Sequence, residues 1–130
     1  MTHNNFTMNK NKQTIVRQGD VDMLPLSMTS LTEIPKNTVH QKDGVVMHGE
    51  SGHKHRLGSN AQLLVLDGDE PVSVTTDLET TQASKFLHVP EMSQITHEEH
   101  TTLNVPPGDY VVLQEREMDH MDQIVKNTLD

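Results

Sequence analysis

Short runs of β-branched and apolar residues, separated by Gly, Pro, Asn and Asp, dominate the pattern along the chain. Their length and spacing are typical of strands in a β-sandwich or β-barrel. No segment before the C-terminal tail shows the sustained apolar period of about 3.6 residues that an amphipathic helix requires. We therefore predict a mainly β fold, a small barrel or sandwich, with strands at 14–18, 21–24, 45–48, 53–57, 62–66, 85–89, 101–105 and 110–114.

The segments outside these runs divide the chain into three parts. Residues 1–13 are polar and lack periodicity, so we expect a flexible arm before a single domain at 14–117. Residues 118–130 carry apolar residues at spacings that permit a short amphipathic helix in a C-terminal tail. Within the domain, we expect the Thr-rich stretch 68–84 to be a loop or a weak edge hairpin. The sequence Pro106-Pro107-Gly108 indicates a hairpin connection between two strands.

Composition limits the size of the core and the class of partner. Apolar residues make up 32% of the 130 residues, so we expect some disorder, or apolar surface completed by another subunit in a homo-oligomer. The net charge of −9 opposes binding to nucleic acids and to anionic membranes. The absence of cysteine excludes disulfides and thiolate metal sites, and it fits a cytoplasmic location. The N-terminus also lacks the apolar region of a secretion signal.

Two histidine motifs are the strongest indication of chemistry. His53 and His55 are two positions apart, and residues at this spacing project from the same face of a strand. His97 and His100 form the second motif, HEEH, whose histidines share one side only if the chain turns there. The β-branched residues on both sides favour an extended segment. We therefore rank His97 above His100 as a ligand.

These histidines predict a site for a divalent metal ion, with His53, His55, His97 and His100 as candidate ligands. Histidine combined with carboxylate suits zinc, iron, manganese, nickel or copper, and spacing alone does not choose among them. Two or three histidines with one carboxylate leave an open coordination position, as in catalytic sites. The alternatives are a polar site without metal, or surface histidines with no special role.

Three glutamates near the motifs are candidates for a catalytic base. Glu50 precedes the first histidine pair, and Glu98 and Glu99 lie inside the HEEH motif. A carboxylate close to a metal site could act as the general base of a metalloenzyme. The sequence does not choose among the three.

Polar and basic side chains elsewhere suggest how an anion could be held. Arg116 and Gln114 share the spacing of one strand face, and could bind an anionic ligand or support the metal ligands. The segment RQGDV at 17–21 is either a strand and turn with an ion pair, or a contribution to the same pocket. In the second interpretation Arg17 is a further candidate for anion binding.

The order of these motifs resembles a family of small uncharacterised proteins from bacteria and phages. The resemblance covers about residues 15–118 and rests on RQGDV at 17–21, GESGHKH at 49–55, HEEH at 97–100, PGDY at 107–110 and QERE at 114–117. It implies no substrate. The chain also resembles cupins, small β-barrels that hold a metal with histidines and a carboxylate, although no Glu follows His55 at the cupin spacing. That likeness implies an architecture more than a function.

The leading interpretation is a metal-binding β protein, and in its strongest form a metalloenzyme that acts on a small or anionic substrate. One alternative is a structural component of a phage virion, such as a capsid decoration or tail protein, in which histidine pairs from three chains surround one iron. Another is a phage accessory protein in the host cytoplasm that binds a host factor or a nucleotide signal. The sequence has no phosphate-binding glycine loop that would support nucleotide binding.

Overall fold

Twelve strands and one short helix form the part of the chain that the computed structural model describes, residues 15–48, 53–68, 70–77 and 79–114. The strands are β1 Val16–Gln18, β2 Val21–Pro25, β3 Thr38–His40, β4 Val45–His48, β5 Lys54–Leu57, β6 Gln62–Leu66, β7 Val72–Thr75, β8 Thr80–Ala83, β9 Lys85–Val89, β10 Ser93–Thr96, β11 Leu103–Val105 and β12 Gly108–Gln114. A 3-10 turn, Leu26–Met28, follows β2. None of the helical residues described forms a helix long and apolar enough to cross a membrane.

The strands in the described part of the chain form three antiparallel sheets. The six-stranded sheet has the order β1-β2-β12-β9-β6-β3, and the four-stranded sheet has the order β11-β10-β5-β4. Strands β7 and β8 pair only with each other among the described strands and form a separate hairpin. The described strands do not close into a barrel. The prediction of a mainly β fold is confirmed, and the architecture is sandwich-like.

The space between the six-stranded and four-stranded sheets holds the first part of the core. Alternate residues of the central strands point into it, because successive side chains of a strand face opposite sides of the sheet. The six-stranded sheet contributes Met23, Leu87 and Val112, and the four-stranded sheet contributes Val46 and Ile95, all of them buried.

The other face of the six-stranded sheet is also covered. Leu24, Phe86 and Val111 pack there against Val74 of the β7–β8 hairpin and Leu26 of the 3-10 turn. The six-stranded sheet is therefore the middle of three layers. This explains why β2 is buried at every position instead of alternating between buried and exposed residues.

Most of the predicted strands occur at or within two residues of their expected positions. The stretch 68–84 contains the β7–β8 hairpin, as one of the two predictions for it required. Strands β3 and β10 were not predicted. The arm at 1–13, the tail at 118–130 and the last residues of the predicted domain lie outside the described residues.

The predicted hairpin at Pro106-Pro107-Gly108 is wrong. Strand β11 belongs to the four-stranded sheet and β12 to the six-stranded sheet, so the segment crosses from one sheet to the other. Tyr110 stabilises this crossing, because its hydroxyl donates a hydrogen bond to the carbonyl oxygen of Pro106 at 2.7 Å. A tyrosine that bonds back to the upstream backbone marks similar crossings in other β-sandwiches.

Candidate functional site

The four predicted histidine ligands lie together at one end of the space between the two larger sheets. We call His53, His55, His97 and His100 the histidine cluster. The ring centroids are 4.3 Å apart for His55 and His97, 4.5 Å for His97 and His100, and 6.2 Å for His55 and His100. His53 lies at the outer side, 5.7 Å from His97. The structure thus joins two motifs that are more than forty residues apart in the sequence.

The first pair occupies the start of β5. His55 is 1% exposed and forms the floor of the cluster, whereas the side chain of His53, just before the strand, is 31% exposed. Both rings contact His97, so they share one side of the chain as their spacing predicts. The glycine-containing segment before His53, residues 49–52, lies outside the described residues.

The HEEH motif forms a bent loop between β10 and β11, so the prediction of an extended segment is wrong. The chain reverses here because β10 and β11 are antiparallel neighbours. This turn brings His97 and His100 to the same side, as the alternative interpretation required. The backbone N–H of Glu99 donates to Nδ1 of His97 at 3.0 Å and stabilises the turn.

His55 is held between residues of the RQGDV segment. Its Nδ1 lies 3.0 Å from Oε1 of Gln18, the last residue of β1. Its Nε2 lies 3.6 Å from Oδ1 of Asp20, in the turn that follows. The amide nitrogen of Gln18 donates to two backbone carbonyls, so its oxygen is the acceptor and His55 Nδ1 carries the proton. The Nε2 of neutral His55 therefore presents a lone pair.

Burial lowers the pKa of His55 below its ordinary value of 6.5, because the charged ring would lose its hydration. The nearby His97 acts in the same direction, and the carboxylate of Asp20 acts against it. The neutral form of His55 is therefore favoured near neutral pH. A neutral imidazole is the form that binds metal ions and accepts protons.

Asp20 is oriented from a second side by the end of β12. Gln114 donates from its amide nitrogen to Oδ2 of Asp20 at 3.1 Å, so Oδ1 remains directed toward His55. Gln114, a predicted anion-binding residue, thus reaches the site through Asp20. The turn between β1 and β2 also contributes to the position of Asp20. Gly19 takes a positive φ of 63° at the first position of this two-residue turn, and Asp20 is the second.

Glu98 and Glu99 lie on the exposed side of the HEEH loop. An oxygen of Glu98 accepts the backbone N–H of Lys54 at 3.1 Å, which links the loop to the start of β5. This hydrogen bond lowers the pKa of Glu98, and a lower pKa weakens it as a general base. Oε1 of Glu99 lies 3.4 Å from Nδ1 of His53.

Arg17, a predicted anion-binding residue, is not brought to the cluster. Arg17 alternates with Gln18 along β1 and lies on the opposite face of the six-stranded sheet. There its Nε donates to the carbonyl of Gly19 at 3.2 Å and lies 3.8 Å from the buried Asp22. Arg116 and Glu50 lie outside the described residues.

Two residues of the site, Gln18 and Asp20, were not among the predicted ligands. Their signal in the sequence was the RQGDV segment, for which a contribution to the same pocket was one of the two interpretations. In the side-chain arrangement observed, no three His, Asp or Glu residues of the described chain form an assembled metal site. The cluster instead consists of four rings linked by ring-to-ring contacts, with Asp20 beside His55.

Fold and cluster together define a class: a three-layered antiparallel β domain with a histidine–aspartate cluster at one end of its core. The chain belongs to the family described as Domain of unknown function (DUF8820), whose model matches residues 17–115. This agrees with the resemblance to an uncharacterised family, and the matched residues include the whole cluster. No curated protein and no solved structure matches the chain.

Proposed function

We propose that three members of the histidine cluster, His55, His97 and His100, bind one divalent transition metal ion together with Asp20. The observation that carries this proposal is a pair of acceptors that face each other, Nε2 of His55 and Oδ1 of Asp20, 3.6 Å apart. In the tautomer that the hydrogen bonds of Gln18 favour, the proton of neutral His55 is on Nδ1, so no hydrogen lies between these two atoms. Two acceptors in this position are favourable only when a cation lies between them.

The distance between the two acceptors suits a shared ion. Imidazole nitrogen and carboxylate oxygen bind transition metals at about 2.0–2.2 Å. An ion at such distances from both atoms would make a nitrogen–metal–oxygen angle of roughly 120°, close to that of tetrahedral or trigonal coordination. A proton is the other cation that could lie there, but burial of His55 opposes its protonation.

His97 and His100 are the proposed further ligands. The Nε2 of His100 lies close above Gly19, and the centroid of its ring is 6.2 Å from that of His55. His97 Nδ1 accepts a hydrogen bond from Glu99, so this bond breaks or the ring turns over when His97 coordinates. A set of three imidazoles and one carboxylate favours zinc, nickel, iron or manganese over calcium or magnesium.

Metal binding to purified protein tests the proposal directly. Protein stripped with a chelator would be titrated with Zn²⁺, Ni²⁺ and Co²⁺ by calorimetry, and the bound metal measured by elemental analysis. We expect one ion per chain. We expect Asp20→Asn and His100→Ala to weaken binding by more than the roughly 10- to 100-fold that a residue behind the ligands typically contributes.

A second histidine–aspartate pair among the described residues is the matched control. His88 Nδ1 lies 2.8 Å from Asp109 Oδ1 on the opposite face of the six-stranded sheet, where both side chains are substantially exposed. His88→Gln should leave metal affinity unchanged. A parent protein that binds no metal, or an Asp20→Asn variant that binds as tightly as the parent, would falsify the proposal. One ion per three chains would instead support a site on the symmetry axis of an assembly.

A further inference from the structure

Gln18 connects three separate parts of the site with one buried amide group. It is the last residue of β1, and it is 2% exposed. Its amide nitrogen donates to the carbonyl of Ile95 in β10 at 3.1 Å and to the carbonyl of Thr101, just after the HEEH motif, at 2.8 Å. Its amide oxygen lies 3.0 Å from Nδ1 of His55.

The chemistry of these partners permits only one orientation of the amide. The carbonyl oxygens of Ile95 and Thr101 can only accept hydrogen bonds, so the nitrogen of Gln18 faces them. The oxygen of Gln18 can also only accept, and it faces His55. His55 Nδ1 is therefore the donor, which places the proton of the neutral ring on Nδ1. In water, neutral histidine prefers the opposite tautomer, with the proton on Nε2.

We propose that Gln18 is a positioning residue that selects the tautomer of His55 and leaves Nε2 as the atom that binds metal. The final step rests on the proposed function, whereas the choice of tautomer does not. Metal-binding histidines commonly donate their second N–H to a carbonyl or carboxylate oxygen, which orients the ring. The side-chain amide of Gln18 has this role toward His55.

The same amide sets the position of the loop relative to the floor of the cluster. The hydrogen bonds to Ile95 and Thr101 hold the two ends of the HEEH segment, and the bond to His55 holds β5. His97 and His100 lie between these fixed points. A carboxylate at position 18 would still accept from His55, but it would bring negative charge against two carbonyl oxygens. Only a side chain that both donates and accepts satisfies all three partners.

The tautomer of His55 can be measured without metal. Long-range ¹H–¹⁵N correlation spectra of metal-free protein at about pH 8, above the ordinary pKa of histidine, distinguish a protonated from an unprotonated ring nitrogen. We expect protonated Nδ1 and unprotonated Nε2 at His55 in the parent protein. In Gln18→Met, which keeps the length of the side chain, we expect the Nε2-protonated form to appear and metal affinity to fall about 10- to 100-fold.

Ser93→Ala is the control for loss of a buried hydrogen bond in β10, the strand to which Gln18 bonds through Ile95. Ser93 is 3% exposed at the start of β10, and its hydroxyl donates to Asn60 at 2.6 Å, outside the cluster. This variant should keep both the tautomer and the metal affinity of the parent. If Gln18→Met changes the tautomer and weakens metal binding while Ser93→Ala changes neither, the effect of Gln18 is positioning of His55 and not a general loss of stability.

The outcomes also separate this inference from the proposed function. An Nε2-protonated His55 in the parent overturns the role of Gln18 even if metal binds, and it does so even if Gln18→Met fails to fold. An unchanged tautomer in folded Gln18→Met overturns it as well. An Nδ1-protonated His55 in a parent that binds no metal supports the selection of the tautomer by Gln18, but refutes metal binding.

Discussion

Gly19 controls how closely the HEEH loop approaches His55. Its φ of 63° lies in the left-handed region, which glycine enters without steric cost. A β-carbon at this position would lie 2.8 Å from Nε2 of His100 and 3.3 Å from Cε1 of His55. The residue therefore has two roles, because it forms the turn before Asp20 and leaves space for a histidine ring above its backbone.

Gly19→Ala should affect both stability and the site. The left-handed backbone costs a non-glycine residue about 1–2 kcal/mol, so the free energy of unfolding should fall by at least that amount. His100 has to move away from the new methyl group, so metal affinity should fall as well. Denaturant unfolding and metal titration of the same preparation measure the two effects.

Gly68→Ala separates backbone strain from steric contact. Gly68 also has a positive φ, 133°, but nothing lies within 4 Å of a β-carbon placed there. We expect this variant to lose stability while its metal affinity stays that of the parent. If both glycine variants weaken metal binding equally, the contact between Gly19 and His100 is not what matters.

Among the elements, the crossing from β11 to β12 links the two sheets that enclose the cluster. β11 is paired with β10, which leads into the HEEH loop, and β12 ends at Gln114, which orients Asp20. Tyr110 lies near the start of β12, just after the crossing. Its hydroxyl is bonded to Pro106, and its ring lies in the core between the sheets. Burial raises the pKa of Tyr110 to about 12.

The raised pKa predicts a loss of stability in alkali. Tyr110 ionises at about 10 in the unfolded chain and at about 12 in the folded one, so the folded state holds its proton more tightly. This contribution is complete below pH 10 and is lost as the pH rises through 12, and it amounts to about 2–3 kcal/mol. Tyr110 is the single tyrosine of a chain without tryptophan, so tyrosinate absorbance reports its ionisation alone.

Tyr110→Phe supplies the comparison for this titration. It should lose the alkaline absorbance change and the extra dependence of unfolding on pH between 10 and 12. At neutral pH it should lose about 1 kcal/mol, since the hydrogen bond to Pro106 is absent. Ionisation of Tyr110 near 10 in protein that remains folded would contradict the buried position of its hydroxyl.

At the scale of the whole molecule, the middle sheet separates the cluster from the second half of the core. The cluster lies on the side of the four-stranded sheet, whereas the β7–β8 hairpin covers the opposite face. Close-packed layers carry much of the stability, and sites at their edges can change without loss of the fold. Stability and metal binding should therefore respond to different substitutions.

Val74→Ala tests this separation. Val74 is fully buried between the hairpin and the six-stranded sheet, so its truncation should cost about 1–3 kcal/mol of unfolding free energy. Metal affinity should be unchanged, because the six-stranded sheet lies between Val74 and the cluster. Ser73→Ala, at the exposed neighbouring position, should change neither quantity by more than about 0.5 kcal/mol. A loss of metal affinity in folded Val74→Ala would refute the independence of the two layers.

Local sequence was sufficient for most of the strands. Runs such as 45–48, 62–66 and 85–89 are bounded by turn residues, and these boundaries match the observed elements. Strand β10 was missed because only one of its four residues, Ile95, is a large apolar residue that marks a core position. Strand β3 is a short edge strand whose exposed Val39 carries no burial pattern.

The sequence by itself determined the class of fold and the four histidines of the cluster, because periodicity and residue type are local properties. Only the tertiary structure decided which sheet each strand joins. Pro106-Pro107-Gly108 turns the chain whether the next strand pairs with β11 or crosses to the other sheet, and the packing of Tyr110 and Val112 in the core selects the crossing. It likewise decided that Gln18 and Asp20 meet His55. That contact depends on two sheets packing face to face, and Gln18 and His55 are 37 positions apart in the chain.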